Sequence, residues 1–184
     1  MAAWRLYLNP RTRFTRPAQP LLQAARDDAL RHGSAFALVA VDWPKRDYRH
    51  HASKADRIPI GQKEEIGYKL PSALLVSDQD GQPPGPLCLQ RQTAQGLLCS
   101  RFDRPRPARS ALDELAPVPD AVGGLPLGQR PVFLSNALAD SVHHYRQWHR
   151  RGPLFLVRAD AERYARPGDQ DGEELRLSAV AERR

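Results

Sequence analysis

The sequence has little cysteine, no long apolar run and none of the compact phosphate or nucleophile motifs, and each absence removes a class of function. Two cysteines, Cys88 and Cys99, are too few for a disulfide scaffold and lack the C-x-x-C spacing of a zinc site. A reduced, cytoplasmic protein is the expectation. No stretch approaches the roughly 18 continuous apolar residues of a membrane span, so no membrane partner is expected. The opening segment Met1–Asn9 contains Trp4 and Arg5 but no apolar core of signal-peptide length. There is no G-x-S-x-G, P-loop or G-x-G-x-x-G motif, which leaves hydrolase-elbow and nucleotide-binding chemistry without support and implies no small-molecule cofactor. No internal repeat is found.

What is present is a chain of 184 residues, 41% hydrophobic, long enough for one ordinary core. Lys and Arg total 28 against 21 acids, a net charge of +7. A balance of this sign favours a polyanionic partner, because cations that meet phosphates release condensed counterions. The 17 prolines and 12 glycines cluster at 81–86, 105–107, 117–131 and 167–172, and punctuate the periodic segments between them.

Residues 17–32 carry an apolar stripe, Leu21, Leu22, Ala25, Ala29 and Leu30, that predicts an amphipathic helix stopped by Gly33. Phe36–Val41 (FALVAV) is a bounded apolar run suited to a strand buried on both faces, ending at Asp42. Residues 42–62 are polar and predict a surface loop. Strand character returns over 66–77, where Pro71 implies a bulge or an edge position. The turn Asp78–Gly81 predicts a hairpin partner at about 86–91, continued at 96–102. Ser110 suits a helix N-cap with Asp113 at N3, although Pro119, Gly123, Gly124 and Pro126 interrupt that helix. Strands at 131–134 and 153–157 flank a helix at 139–151 that Gly152 stops, and 174–177 is a weak strand. This order implies α/β architecture with a mixed sheet covered by helices.

The informative feature is a polar residue at the end of an apolar strand, since strand ends in α/β sheets hold ligands and metals on rigid backbone. Asp42 follows FALVAV, and Asn136 follows PVFLS in the same manner. The loop after Asp42 packs Lys45, Arg46, Arg49, His50, Lys54 and Arg57 into a short span that could grip a DNA backbone. A second cationic cluster is Arg101, Arg104, Arg106 and Arg109. His143, His144 and His149 share one helix but no two are spaced i, i+4. Asp140 and His144 are so spaced, which by itself is a poor metal signal. Tyr145 and Trp148 read as packing residues.

The segments FALVAVDW, DYRHHASKADR and GYKLPSALLVSDQDGQPPGPLCL, with LDELAPV, ADSVHHYRQWHRRGPLFLVRAD and the opening WRLYLNPR, resemble in order the bacterial DDE transposases of insertion-sequence elements. Within that family the likeness is to the cut-and-paste branch with a β-rich insertion, and it runs from about Trp4 to Ala181. The resemblance implies an RNase H-like mixed sheet flanked by helices, incomplete on its C-terminal side. It further implies a helical lead-in over 1–34, a partial catalytic domain over 35–160, and the start of the insertion or a disordered tail over 161–184.

In the family three carboxylates hold two divalent ions, Mg²⁺ or Mn²⁺, for phosphodiester cleavage and strand transfer. The first carboxylate corresponds to Asp42, which the resemblance makes a metal ligand and catalytic residue. The second corresponds to Asn136, where the family has Asp, and Leu138 stands where it has Glu. The third, a helical Glu, finds no counterpart before Arg184. The expectation is a transposase-derived DNA-binding fragment, inactive or incomplete alone, that pairs with itself or with full-length transposase. The alternative is a non-enzymatic DNA-binding or transposase-inhibiting protein.

Overall fold

The apolar run at 36–41 lies at the centre of the sheet in a computed structural model of the chain, which describes residues 13–32, 35–62, 64–165 and 175–178. The opening motif through Thr12, the Gly33 stop, the 167–172 cluster, Glu174 and residues 179–184 fall outside those ranges. The elements formed by the described residues follow the mixed α/β pattern. Helix α1 (Thr15–His32) precedes β1 (Phe36–Asp42), β2 (Lys45–Asp47), β3 (Ile58–Pro59), β4 (Ile66–Lys69) and β5 (Ser72–Val76). Then come β6 (Gly85–Thr93), β7 (Gly96–Cys99), β8 (Phe102–Arg106), α2 (Ala111–Leu115) and α3 (Pro117–Gly123). The remainder is β9 (Arg130–Ser135), a 3₁₀ turn (Ala137–Ala139), α4 (Val142–Arg151), β10 (Leu154–Val157), β11 (Tyr164–Ala165) and β12 (Leu175–Arg176). No described helix is long and apolar enough to cross a membrane.

The main sheet has ten strands among the described residues, and its path runs β10-β9-β1-β5-β6-β4-β2. β1 is parallel to β9, β9 is parallel to β10, and β5 and β6 run antiparallel to their neighbours. Ala37, Val39 and Val41 are buried on one face of β1, while Leu38 and Ala40 are half-buried on the other. The expected two-faced burial is therefore only half met, because cover over the second face is thinner.

Helix α1 begins at Thr15 and buries Leu22, Ala25 and Ala29, part of its apolar stripe. Leu21 and Leu30 stay 49% and 57% exposed, so the apolar face is narrower than the sequence stripe. The alanines let α1 lie close on β6: a Cβ at Gly85 would sit 3.3 Å from the Ala25 methyl. Glycine is favoured there by proximity.

Four expected elements differ. The 42–62 surface loop contains β2 and β3, which pair with β4 and satisfy backbone that a loop would leave to water. Pro71 is neither on an edge nor in a bulge. It is fully buried between β4 and β5, and its carbonyl accepts the Gln90 N–H at 2.8 Å; the register shift falls later, between Ala73 and Leu74. Residues 96–102 do not prolong β6 but turn back on it as β7. Pro119 does not break its helix, because it lies in the first turn of α3, where a missing N–H costs nothing.

The other helix ends follow local chemistry. Ser110 Oγ accepts the Asp113 N–H at 3.1 Å and Asp113 Oδ2 accepts the Ser110 N–H at 3.0 Å, a reciprocal cap. Helix α4 starts at Val142, later than expected, because 137–139 coil as a 3₁₀ turn. It ends at Gly152 with φ 89°, a left-handed cap that glycine adopts without strain.

Candidate functional site

Three parallel strands end side by side. The β1–β9 ladder pairs Val41 with Ser135, and the β9–β10 ladder pairs Ser135 with Val157. The next residue of each strand is therefore Asp42, Asn136 or Arg158, in a row along one sheet edge. Together with Val41, Leu134 and Ser135 they line an open, nearly flat depression. Asp42 is exposed, and its Oδ1 accepts a hydrogen bond from Asn136 Nδ2 at 3.2 Å. Sequence patterning picked out the first two positions and missed the third. The signal for Arg158 was available, since it follows LFLV as Asp42 follows FALVAV.

The chemistry of this row is one carboxylate, one amide and one guanidinium. Two adjoining dications need several anionic oxygens to offset their mutual repulsion. Here the amide nitrogen donates into the Asp42 carboxylate, occupying a lone pair that a metal would use, and a permanent cation flanks the pair. These residues do not match the donor set of a two-metal centre. Among the described residues no group of three or more His, Cys, Asp or Glu side chains is arranged to hold a metal ion.

Asp140, four residues after Asn136, is committed elsewhere. Its side chain is 3% exposed. Tyr145 Oη donates to Oδ1 at 2.7 Å, while the Asp160 N–H and Arg163 Nε donate to Oδ2 at 2.8 and 2.9 Å. Burial pushes its pKa up, but these donors together outweigh burial and hold it below the ordinary aspartate value. The same contact, after burial, raises the Tyr145 phenol to about 12. Asp140 thus ties the start of α4 to the 158–163 segment. His144 turns to Ser141 Oγ at 3.1 Å, so the Asp140/His144 spacing makes no joint site. Tyr145 stacks on Phe155 at 5.6 Å and Trp148 is buried in the core, both as packing residues.

The basic residues after Asp42 divide by role. Lys45 and Arg46 are exposed on β2, and His50 is exposed in the following turn. Arg49 is tied to the Asp47 carboxylate, with Nε donating at 2.6 Å. Half-buried Arg57 donates to three backbone carbonyls, Lys54 at 2.6 Å, Tyr48 at 2.7 Å and Arg49 at 3.2 Å. Lys54 Nζ lies 5.1 Å from the Tyr48 ring centroid. Arg57 is therefore a clasp for the loop, and Lys45, Arg46 and His50 are the residues most open to a partner. In the second cluster Arg104 and Arg106 are exposed, and Arg106 stacks 3.7 Å from the Phe102 ring.

Register places both clusters at the same end of the sheet. Asp42 pairs with Ser72, and Ser72 with Leu89. The later residues of β6, which pair with β4 and β7, continue past the Asp42 level, carrying β2 and β8 with them. The strand-end row and the exposed cations thus share one end. Set against known proteins, the chain matches no family model and no curated sequence.

Proposed function

We propose that this chain is an RNase H-like domain related to DDE transposases that binds DNA through the cationic end of its sheet and does not cleave it. The observation that carries the proposal is the Asp42–Asn136 contact across the ends of two neighbouring parallel strands, 3.2 Å between Nδ2 and Oδ1. The strand order β6-β5-β1-β9-β10, with helices between β6 and β9 and between β9 and β10, supports the RNase H-like reading. The partners proposed are DNA ends and either a second copy or a full-length transposase. The amide at 136 favours the non-enzymatic form of the proposal over an active enzyme, since an amide cannot supply the charge that a second metal-binding carboxylate does.

Supercoiled plasmid incubated with the protein and Mg²⁺ or Mn²⁺ should show no nicking above background, while a gel shift detects DNA binding. Asn136→Asp should tighten Mn²⁺ binding about tenfold or more by adding a carboxylate beside Asp42, without conferring cleavage. Robust nicking by the parent protein that vanishes in Asp42→Ala would overturn the reading of the site. Absence of any salt-dependent DNA binding would overturn the partner.

A further inference from the structure

The chain's two cysteines face each other inside the sheet. Cys99 on β7 pairs with Gln90 on β6, and Cys88 lies two residues before Gln90 on the same face, so the cysteines are diagonal neighbours. Their Sγ atoms are 3.3 Å apart, and the residues are 1% and 2% exposed. Two further donors converge on the pair: the Arg101 N–H reaches Cys99 Sγ at 3.4 Å and Gln90 Nε2 reaches Cys88 Sγ at 3.8 Å. The Cys88 hydrogen bond does most to lower the Cys99 thiol, to about 7, against the effect of burial and with help from the Arg101 N–H. Contact with Cys99 and burial push the Cys88 thiol the other way. The sulfur–sulfur contact lets one thiol serve as thiolate and the other as its proton donor, and the Arg101 N–H on Cys99 favours Cys99 for the first role.

We propose that Cys88 and Cys99 are a redox pair that closes an intramolecular disulfide between β6 and β7 when the protein meets a small-molecule disulfide oxidant. The Cys99 thiolate attacks one sulfur of the oxidant, whose S–S bond breaks, and the departing sulfur takes up a proton. Cys88, losing its proton, then attacks the Cys99 sulfur of the mixed disulfide and releases the second oxidant thiol. Two protein thiols lose two electrons and two protons, and one oxidant disulfide becomes two thiols. Because both sulfurs are buried, the first attack requires β7 to part locally from β6. Closure joins β6 covalently to the hairpin whose outer strand, β8, presents Arg104 and Arg106.

The test is to equilibrate the folded, full-length chain with oxidised and reduced glutathione at graded ratios, quench with acid, alkylate and weigh it. The expected result is conversion of a doubly alkylated species into an unalkylated monomer two hydrogens lighter than the reduced chain, with the peptides bearing residues 88 and 99 linked. Circular dichroism should stay that of the reduced fold, and the oxidised form should melt higher. Cys88→Ser should stop at the glutathione adduct on Cys99 or stay reduced. Two thiols that remain alkylatable at ratios that oxidise the urea-unfolded chain would overturn the proposal. So would oxidation that appears only as covalent dimer, or that is accompanied by loss of the native spectrum.

Discussion

At Asn136 an amide hydrogen bond to Asp42 stands where a second carboxylate would repel it. Two carboxylates about 4 Å apart at a protein surface repel by up to roughly 4 kcal/mol when no cation lies between them, a repulsion that the amide at 136 replaces with a hydrogen bond. A buried charge elsewhere has a measurable cost. Glu114 is 0% exposed, lies 3.6 Å from Lys69 Nζ, and burial raises its carboxyl above the ordinary value of 4.5 against the pull of Lys69. A carboxyl raised in the folded state favours folding below its ordinary value and loses that contribution as pH climbs through the raised value. Glu114→Gln is accordingly expected to stabilise the protein at pH 8, read as a higher melting temperature, with the gap closing towards pH 4. A lower melting temperature for the variant at pH 8 would mean that the Lys69 contact outweighs the burial cost.

Among the elements, the segment 48–57 shows how a polar stretch acquires a fixed shape. Its sequence is all turn and charge, yet one guanidinium gathers three of its carbonyls and β4 pairs with the strands on either side of it. Arg57→Ala should cost about 1–3 kcal/mol of stability by leaving partly buried carbonyls unpaired, measured by urea unfolding. Arg57→Lys should recover little of this, because an ammonium cannot span the same carbonyls. A change within a few tenths of a kcal/mol would show the clasp to be incidental. Elements with strong periodicity or clear stops, such as β1, β9, β10 and the end of α4, were legible in the sequence. Those set by partners were not. β2 and β3 exist because β4 offers them hydrogen bonds, and α3 runs through Pro119 because the chain restarts its helix at Pro117.

For the whole molecule, the proposed DNA contact rests on where exposed cations sit, at the Asp42 end of the sheet, and not on the net charge of +7 alone. Lys45 and Arg46 are exposed there, whereas Arg49 and Arg57 hold the loop. Double substitution of Lys45 and Arg46 by alanine should weaken DNA binding across unrelated sequences. It should also flatten the dependence of log affinity on log salt by about 2, near 0.9 for each phosphate that is no longer neutralised. An unchanged slope would move the DNA elsewhere, with Arg104 and Arg106 the next residues to substitute.

Mixed α/β character, the central strand and the two polar residues at strand ends could all be read from the linear chain, because periodicity and punctuation are local properties. So could the +7 balance on which the expectation of a polyanionic partner rests. That Asp42, Asn136 and Arg158 form one row emerged only in three dimensions, since their order depends on which strands pair and in which register. The same holds for Asp140 and Arg57, which tie the scaffold together, and for Cys88 and Cys99, which meet at their sulfurs across two strands. Contacts of that kind depend on how strands cross and turn, which no single segment encodes.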